Sequence, residues 1–259
     1  MYTFITSNRA FHNDPKIKAK YLKRVRAHAA ADEIVQGKYW EKGKGCAVGC
    51  TIHGDEHARY ETELGIPRIL ARLEDRLFER MALADAKLWP ERFLSAIPVG
   101  ADLSMVWPRF AVWLLTDEKD GVINRAKSDD AKKAIQKVSD LYTRLINGDK
   151  PALTEWQTAR SAVAKFGWWY ADAAAAADAA AAADADAADA DAAAAAAADA
   201  DAAAAAAADA AADAAADAAD AAAAYFYRSV FLRREPCVSA FRQQSETLIK
   251  LLAEAPVVK

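Results

Sequence analysis

The stretch ADAAAAADAAAAADADAADADAAAAAAADADAAAAAAADAAADAAADAADAAAA, residues 171–224, holds 42 Ala and 12 Asp and no other residue type. Alanine has the highest helix propensity, and aspartate in a helix interior costs about half a kcal/mol relative to it. The composition therefore predicts helix, roughly 80 Å long if unbroken at ~1.5 Å per residue. Asp172, Asp178, Asp184, Asp186 and Asp189 scatter around the cylinder. Further on, Asp209, Asp213, Asp217 and Asp220 recur at spacings of four, four and three, which puts them on one face opposite an all-alanine face. Between these halves the decapeptide DADAAAAAAA starts at Asp189 and again at Asp199. Ten residues do not complete a whole number of turns, so the copies rotate about the axis instead of stacking.

Charge divides the chain unevenly. The total is 34 basic and 37 acidic residues, but with the 12 tract aspartates set aside 34 stand against 25, a remainder of +9 beside a segment of −12. All seven Trp lie outside the tract, and aromatic groups flank it: Trp168, Trp169 and Tyr170 before, Tyr225, Phe226 and Tyr227 after. The reading is a helical arm anchored at both ends, as one long helix or a hairpin. The first residues form no cleavable signal, and no run of apolar residues other than alanine reaches membrane-spanning length, so a soluble, cytoplasmic protein is expected. Three Cys do not make a disulfide framework.

Elsewhere the apolar residues keep the helical period. Ser128 to Asn147, followed by Gly148, is the clearest helix, with Ser128 as cap, Asp129 and Asp130 in the first turn, and Ala134, Ile135, Val138, Leu141, Tyr142, Leu145 and Ile146 as its stripe. Pro67 opens a helix with Ile69, Leu70, Leu73, Leu77 and Phe78 inside, and its arginines read as a face salt-bridged to Glu74, Asp75 and Glu79. Pro90 starts a shorter piece, Pro108 breaks or kinks the next, Pro236 stops the run after the arm, and a final helix carries Phe241, Leu248, Ile249 and Leu252. Asp14 and Pro15 cap and open a first helix expected to reach Gln36. The fold class expected is all-α: a compact domain over 1–170, the arm over 171–224 and C-terminal helices over 225–259 packing back on the core.

Two segments carry chemistry. The first helix presents Lys16, Lys20, Lys23 and Arg24, either a solvated face, an anion or nucleic-acid site, or an internal dock for the acidic arm. In GKYWEKGKGCAVGCTIHGDEHARYETELGIP, Cys46, Cys50, His53 and His57 fall at spacings of four, three and four. A helix starting at Cys50 would put Cys50, His53 and His57 on one face with Cys46 folding back from the loop, the two thiolates and two imidazoles that a structural zinc accepts. The bland alternative is two buried cysteines and two surface histidines. A third is a Cys thiolate at a helix N-terminus with His53 or His57 as base beside Asp55 or Glu56.

The run GKGCAVGCTIHGDEHARYETELGIPRILARLEDRLFE, with WPERFLSAI, GADLSMVWPRFAVWLLTD and the alanine-rich tract behind it, resembles a group of uncharacterised bacterial and phage proteins with alanine-rich C-terminal halves. The resemblance spans most of 35 to 225 and implies no established activity. The function expected is a non-enzymatic binding or scaffold protein. Its acidic helix serves interaction, self-association or spacing, and in the sharpest version imitates nucleic-acid charge. The rival is a redox or metal enzyme centred on residues 46–57.

Overall fold

The computed structural model describes residues 9–165 and 234–258; the Ala/Asp tract and its expected anchors at 168–170 and 225–227 lie outside them. The described chain is helical apart from one two-stranded hairpin and a few isolated bridges, the all-α architecture expected. No described helix is long and apolar enough to cross a membrane. The described residues fall into two compact units, 9–111 with 234–258 and 112–165.

The larger unit starts with a single 3-10 turn, Ala10–Asn13, whose Phe11, His12 and Asn13 are left-handed at φ 56°, 49° and 57°. Helix α1 (Pro15–Ala30) follows with Asp14 accepting from the Lys16 amide at 2.8 Å and Pro15 at its first position, as the sequence predicts. It buries Tyr21 and Val25 and stops six residues before Gln36. The backbone after it is wanted elsewhere: Asp32 turns left-handed, Val35 N–H donates to Gly45 O at 2.9 Å, and Gly45 N–H donates to Glu33 O at 3.1 Å. Strands β1 (Trp40–Glu41) and β2 (Lys44–Gly45) pair antiparallel across Lys42 and Gly43, both at positive φ, the pattern of a two-residue hairpin turn.

Short helices α2 (Ala47–Ile52) and α3 (Arg59–Leu64) lead into α4 (Arg68–Phe78) and α5 (Leu83–Ala96). Pro90 lies inside α5 and does not start it; Trp89, Pro90, Phe93 and Leu94 are all buried there, and that packing offsets the lost amide bond. The α5 C-terminus is capped from another helix, Lys18 Nζ donating to Ser95 O at 2.9 Å and Ile97 O at 2.6 Å. In α6 (Val106–Thr116) Pro108 sits in the first turn, where its missing amide costs nothing, so it neither breaks nor kinks the segment. The unit boundary falls within α6, between Ala111 and Val112.

The last described helix, here α9 (Arg234–Ala253), packs on α4 and α5 through buried Phe241, Leu248 and Leu252. Pro236 lies inside the described helix, which continues past it to Ala253. Beyond α9 the chain joins a small ladder: Ala10 N–H donates to Ala101 O at 2.9 Å, and Asp102 N–H donates to Pro256 O at 2.8 Å.

The smaller unit is built on α7 (Asp129–Ile146) and α8 (Leu153–Ala164). Tyr142 meets Trp156 edge-on at 4.8 Å, and Arg144 binds both Asp149 and Glu155 at 2.6 Å. Helix α7 has the predicted ends, Ser128 Oγ accepting from Ala131 N–H at 3.2 Å and Gly148 at φ 87°. Ser128→Ala should cost about 1 kcal/mol in urea unfolding; an unchanged midpoint would deny the cap its role.

Candidate metal centre

Cys46 is placed by the hairpin and by two glycines. Its amide donates to Lys38 O at 2.7 Å and Tyr39 O at 3.2 Å, and the Tyr39 carbonyl lies where Gly45 and Gly49 have no side chain. Cys46 then becomes the N-cap of α2, its Sγ accepting from Gly49 N–H at 3.4 Å. The helix therefore begins at Ala47, ahead of the Cys50 start that the zinc reading assumes, and it ends at Ile52.

That shift separates the four residues of the zinc reading. Cys50 is interior to α2 and fully buried, its thiol turned to Gly45 O at 3.3 Å, and burial pushes it up to about 12. His53 is the left-handed C-cap of α2 at φ 53° and not a member of a helical face. Its ring stacks on Trp40 at 4.3 Å, and its Nε2 lies 2.9 Å from His28 Nε2. With 5.1 Å between the ring centres, these nitrogens stand head to head, the geometry of one shared proton and not of two lone pairs converging on an ion. Glu33 holds the far side of His28 at 2.6 Å. His57, in the turn before α3, lies with Nε2 3.6 Å from Asp75 Oδ2.

Helix α4 supplies the partners that spacing alone does not reveal. Among the described residues, the ligand atoms that converge within 4.8 Å belong to Cys46, Asp75 and Glu79, and neither Cys50 nor either of the two predicted histidines is in that group. Glu79 is the C-cap of α4, still in helical conformation, so it lies one turn beyond Asp75 on the same face. Arg80 acts electrostatically on Glu79, and the α4 carboxylates are engaged elsewhere as well. Glu79 accepts from Gly37 N–H at 2.8 and 3.1 Å, while Glu74 points inside. Asp75 Oδ1 is buried without a hydrogen bond of good geometry. Tyr39 covers the group, its ring edge-on to His57 at 5.8 Å.

Electrostatics follow from this enclosure. Burial first, then the negative charge of Asp75, push the Cys46 thiol far above its ordinary value. Burial likewise raises Glu79 and Tyr39. Below the cluster Glu74 is fully buried, with Oε2 accepting from Tyr60 OH at 2.7 Å and Oε1 unpartnered, and burial raises it well above the carboxylate range. Cys46 is 1 % exposed, so the thiol is a protonated, enclosed group and not a nucleophile in contact with solvent. Asp55 and Glu56, the carboxylates offered as partners to a histidine base, are exposed.

The residues singled out for anion binding are spread over two environments. Lys16, Lys20 and Lys23 are exposed on α1, Lys20 lying over the Tyr21 ring at 4.8 Å. Arg24 is half-buried and donates to Thr51 O at 2.7 Å, so it serves the junction of α1 with α2. Comparison of the chain with protein-family models, curated proteins and solved structures gives no match.

Proposed function

We propose that the chain is a non-catalytic binding protein whose recognition elements are charged helices, the Ala/Asp tract foremost. The observation that carries this reading is the burial of both thiols in the Cys/His segment, 1 % and 0 % exposed with raised proton affinity. That burial leaves the thiol-based form of the rival redox or metal enzyme without a solvent-accessible reactive group. The recognition chemistry then lies in unbalanced charge. Lys16 and Lys23 are exposed and make no ion pair among the described residues, and the tract carries 12 carboxylates with no cation among them. In this proposal Asp209, Asp213, Asp217 and Asp220 form a one-sided acidic face that occupies basic partner surfaces, competing with nucleic acid for them.

The test is retention on immobilised polylysine over a salt series. Native chain should elute at clearly higher salt than a variant with those four aspartates changed to Asn, and circular dichroism should show both folded. Equal elution would remove the acidic face from the mechanism. Labelling of Cys46 or Cys50 in the native chain by a thiol reagent, at neutral pH and faster than a free thiol, would restore the enzyme reading.

A further inference from the structure

We propose that Cys46, Asp75 and Glu79 bind a single divalent ion of the zinc class, with His57 holding Asp75 in place.

Three observations independent of titration point to it. The donor set is one thiol and two carboxylates from separate elements, the α2 N-cap and α4, brought within 4.8 Å of one another. Thiolate sulfur with carboxylate oxygen is a combination that zinc accepts and that magnesium and calcium, which take oxygen ligands alone, do not. Asp75 Oδ1 is buried with no hydrogen bond of good geometry, although the Cys46 thiol and the Tyr39 hydroxyl stand beside this carboxylate; a buried oxygen so poorly paired costs about 1–3 kcal/mol unless something pairs with it. The second oxygen, Oδ2, is the one facing His57. One carboxylate oxygen is thus steadied from behind and the other is left for the ion, the role an outer partner plays for a metal ligand.

Glu79 is compatible with this although Gly37 N–H is shared between its two oxygens, because a carboxylate offers about four lone-pair sites and the shared amide leaves about two of them. Access exists from one side. Cys46 forms the closed floor, whereas the Asp75 and His57 side chains retain 14 % and 16 % exposure. The ion supplies the charge that the ligands lack. Three ionised ligands bring −3 into a buried space, and a divalent cation leaves −1. Binding displaces the Cys46 proton to solvent, so affinity rises with pH. The fourth position is left to water or to a rotated His57.

The metal ligands and the acidic tract share no residue, so either proposal can fail without the other. The experiment is a Co²⁺ titration of chelator-treated full-length protein, read by absorption, with zinc counted by plasma mass spectrometry on the reconstituted chain. One equivalent of metal should produce a sulfur-to-cobalt charge-transfer band. Cys46→Ser should abolish the band, Asp75→Asn and Glu79→Gln should weaken binding at least tenfold, and His57→Ala should weaken it about 10- to 100-fold. His53→Gln, which lies outside the group, should leave the affinity unchanged. Far-ultraviolet circular dichroism on each variant separates ligand loss from unfolding, and the isosteric Glu79→Gln at the half-buried rim keeps the test decisive if Cys46→Ser fails to fold. Native chain that shows no band at millimolar Co²⁺ overturns the site. So does a folded Glu79→Gln and Asp75→Asn pair that binds as the native chain does, or a His53→Gln that does not.

Discussion

Gly49→Ala should destabilise the larger unit by about 3 kcal/mol or more, at or beyond the top of the usual range for overpacking. A Cβ at this position would lie 1.5 Å from the Tyr39 carbonyl oxygen and 2.5 Å from its carbon. Both are backbone atoms, so no side-chain rotation relieves the clash, and the 37–45 hairpin has to move off α2. The same movement would break the Cys46 amide bonds to Lys38 O and Tyr39 O. Gly43→Ala is the contrasting case. No atom lies within 4 Å of the place its methyl group would take, and only the φ of 83° opposes alanine, a cost of about 1–2 kcal/mol. Urea unfolding of the two variants side by side is the check, and a milder effect at Gly49 than at Gly43 would refute the clash.

The second large effect is in pH. Glu74 is buried with one oxygen bonded to Tyr60 and the other to nothing, so the folded chain holds it as the neutral acid. Its folded proton affinity is above that of the unfolded chain. The stability it contributes is therefore complete below the unfolded value near 4.5 and is lost as pH rises through the higher folded value. Each unit of separation is worth about 1.4 kcal/mol. Glu74→Gln keeps the shape and cannot ionise. It should flatten the decline of the unfolding free energy between weakly acidic and alkaline pH, and should make the variant the more stable chain at the alkaline end. Parallel curves for both proteins across that range would show that Glu74 ionises freely in the folded state.

What is legible in the sequence is local. Asp14 followed by Pro15, Ser128 ahead of Asp129 and Asp130, and Gly148 after α7 are caps whose chemistry acts within a turn, and each is found where its residue type predicts. Positions decided by distant partners are not legible in this way. Helix α1 ends at Ala30 because Gly45 claims the backbone that follows, and α5 runs through Pro90 because the residues around it are buried. In the candidate metal centre, spacing points to Cys46 but places Asp75 and Glu79 on an outer face beside arginines. One signal is present. Leu70, Leu73, Leu77 and Phe78 define the inward stripe of α4, and Glu74 falls inside that arc, so a carboxylate has to be buried there and its neighbours brought close to the interior. The misplacement of Cys50 and His53 has a single source, a helix taken to begin at Cys50; with Cys46 as the cap, every side-chain direction after it changes.

The larger unit is discontinuous in the chain: residues 9–111 are completed by α9 and by Pro256 and Val258, which bond to the 100–102 segment. Synthesis at about 5–20 residues per second therefore delivers the cysteine, both α4 carboxylates and the hairpin well before the helix that covers α4 and α5. For that interval the ribosome holds a nascent chain whose apolar α4 and α5 surfaces await a partner still to be translated, and the 112–165 unit, contiguous in sequence, has the first opportunity to finish folding. Maturation of the unit with the Cys46 cluster thus waits on a helix translated long after it, and chaperone demand should fall on its first half.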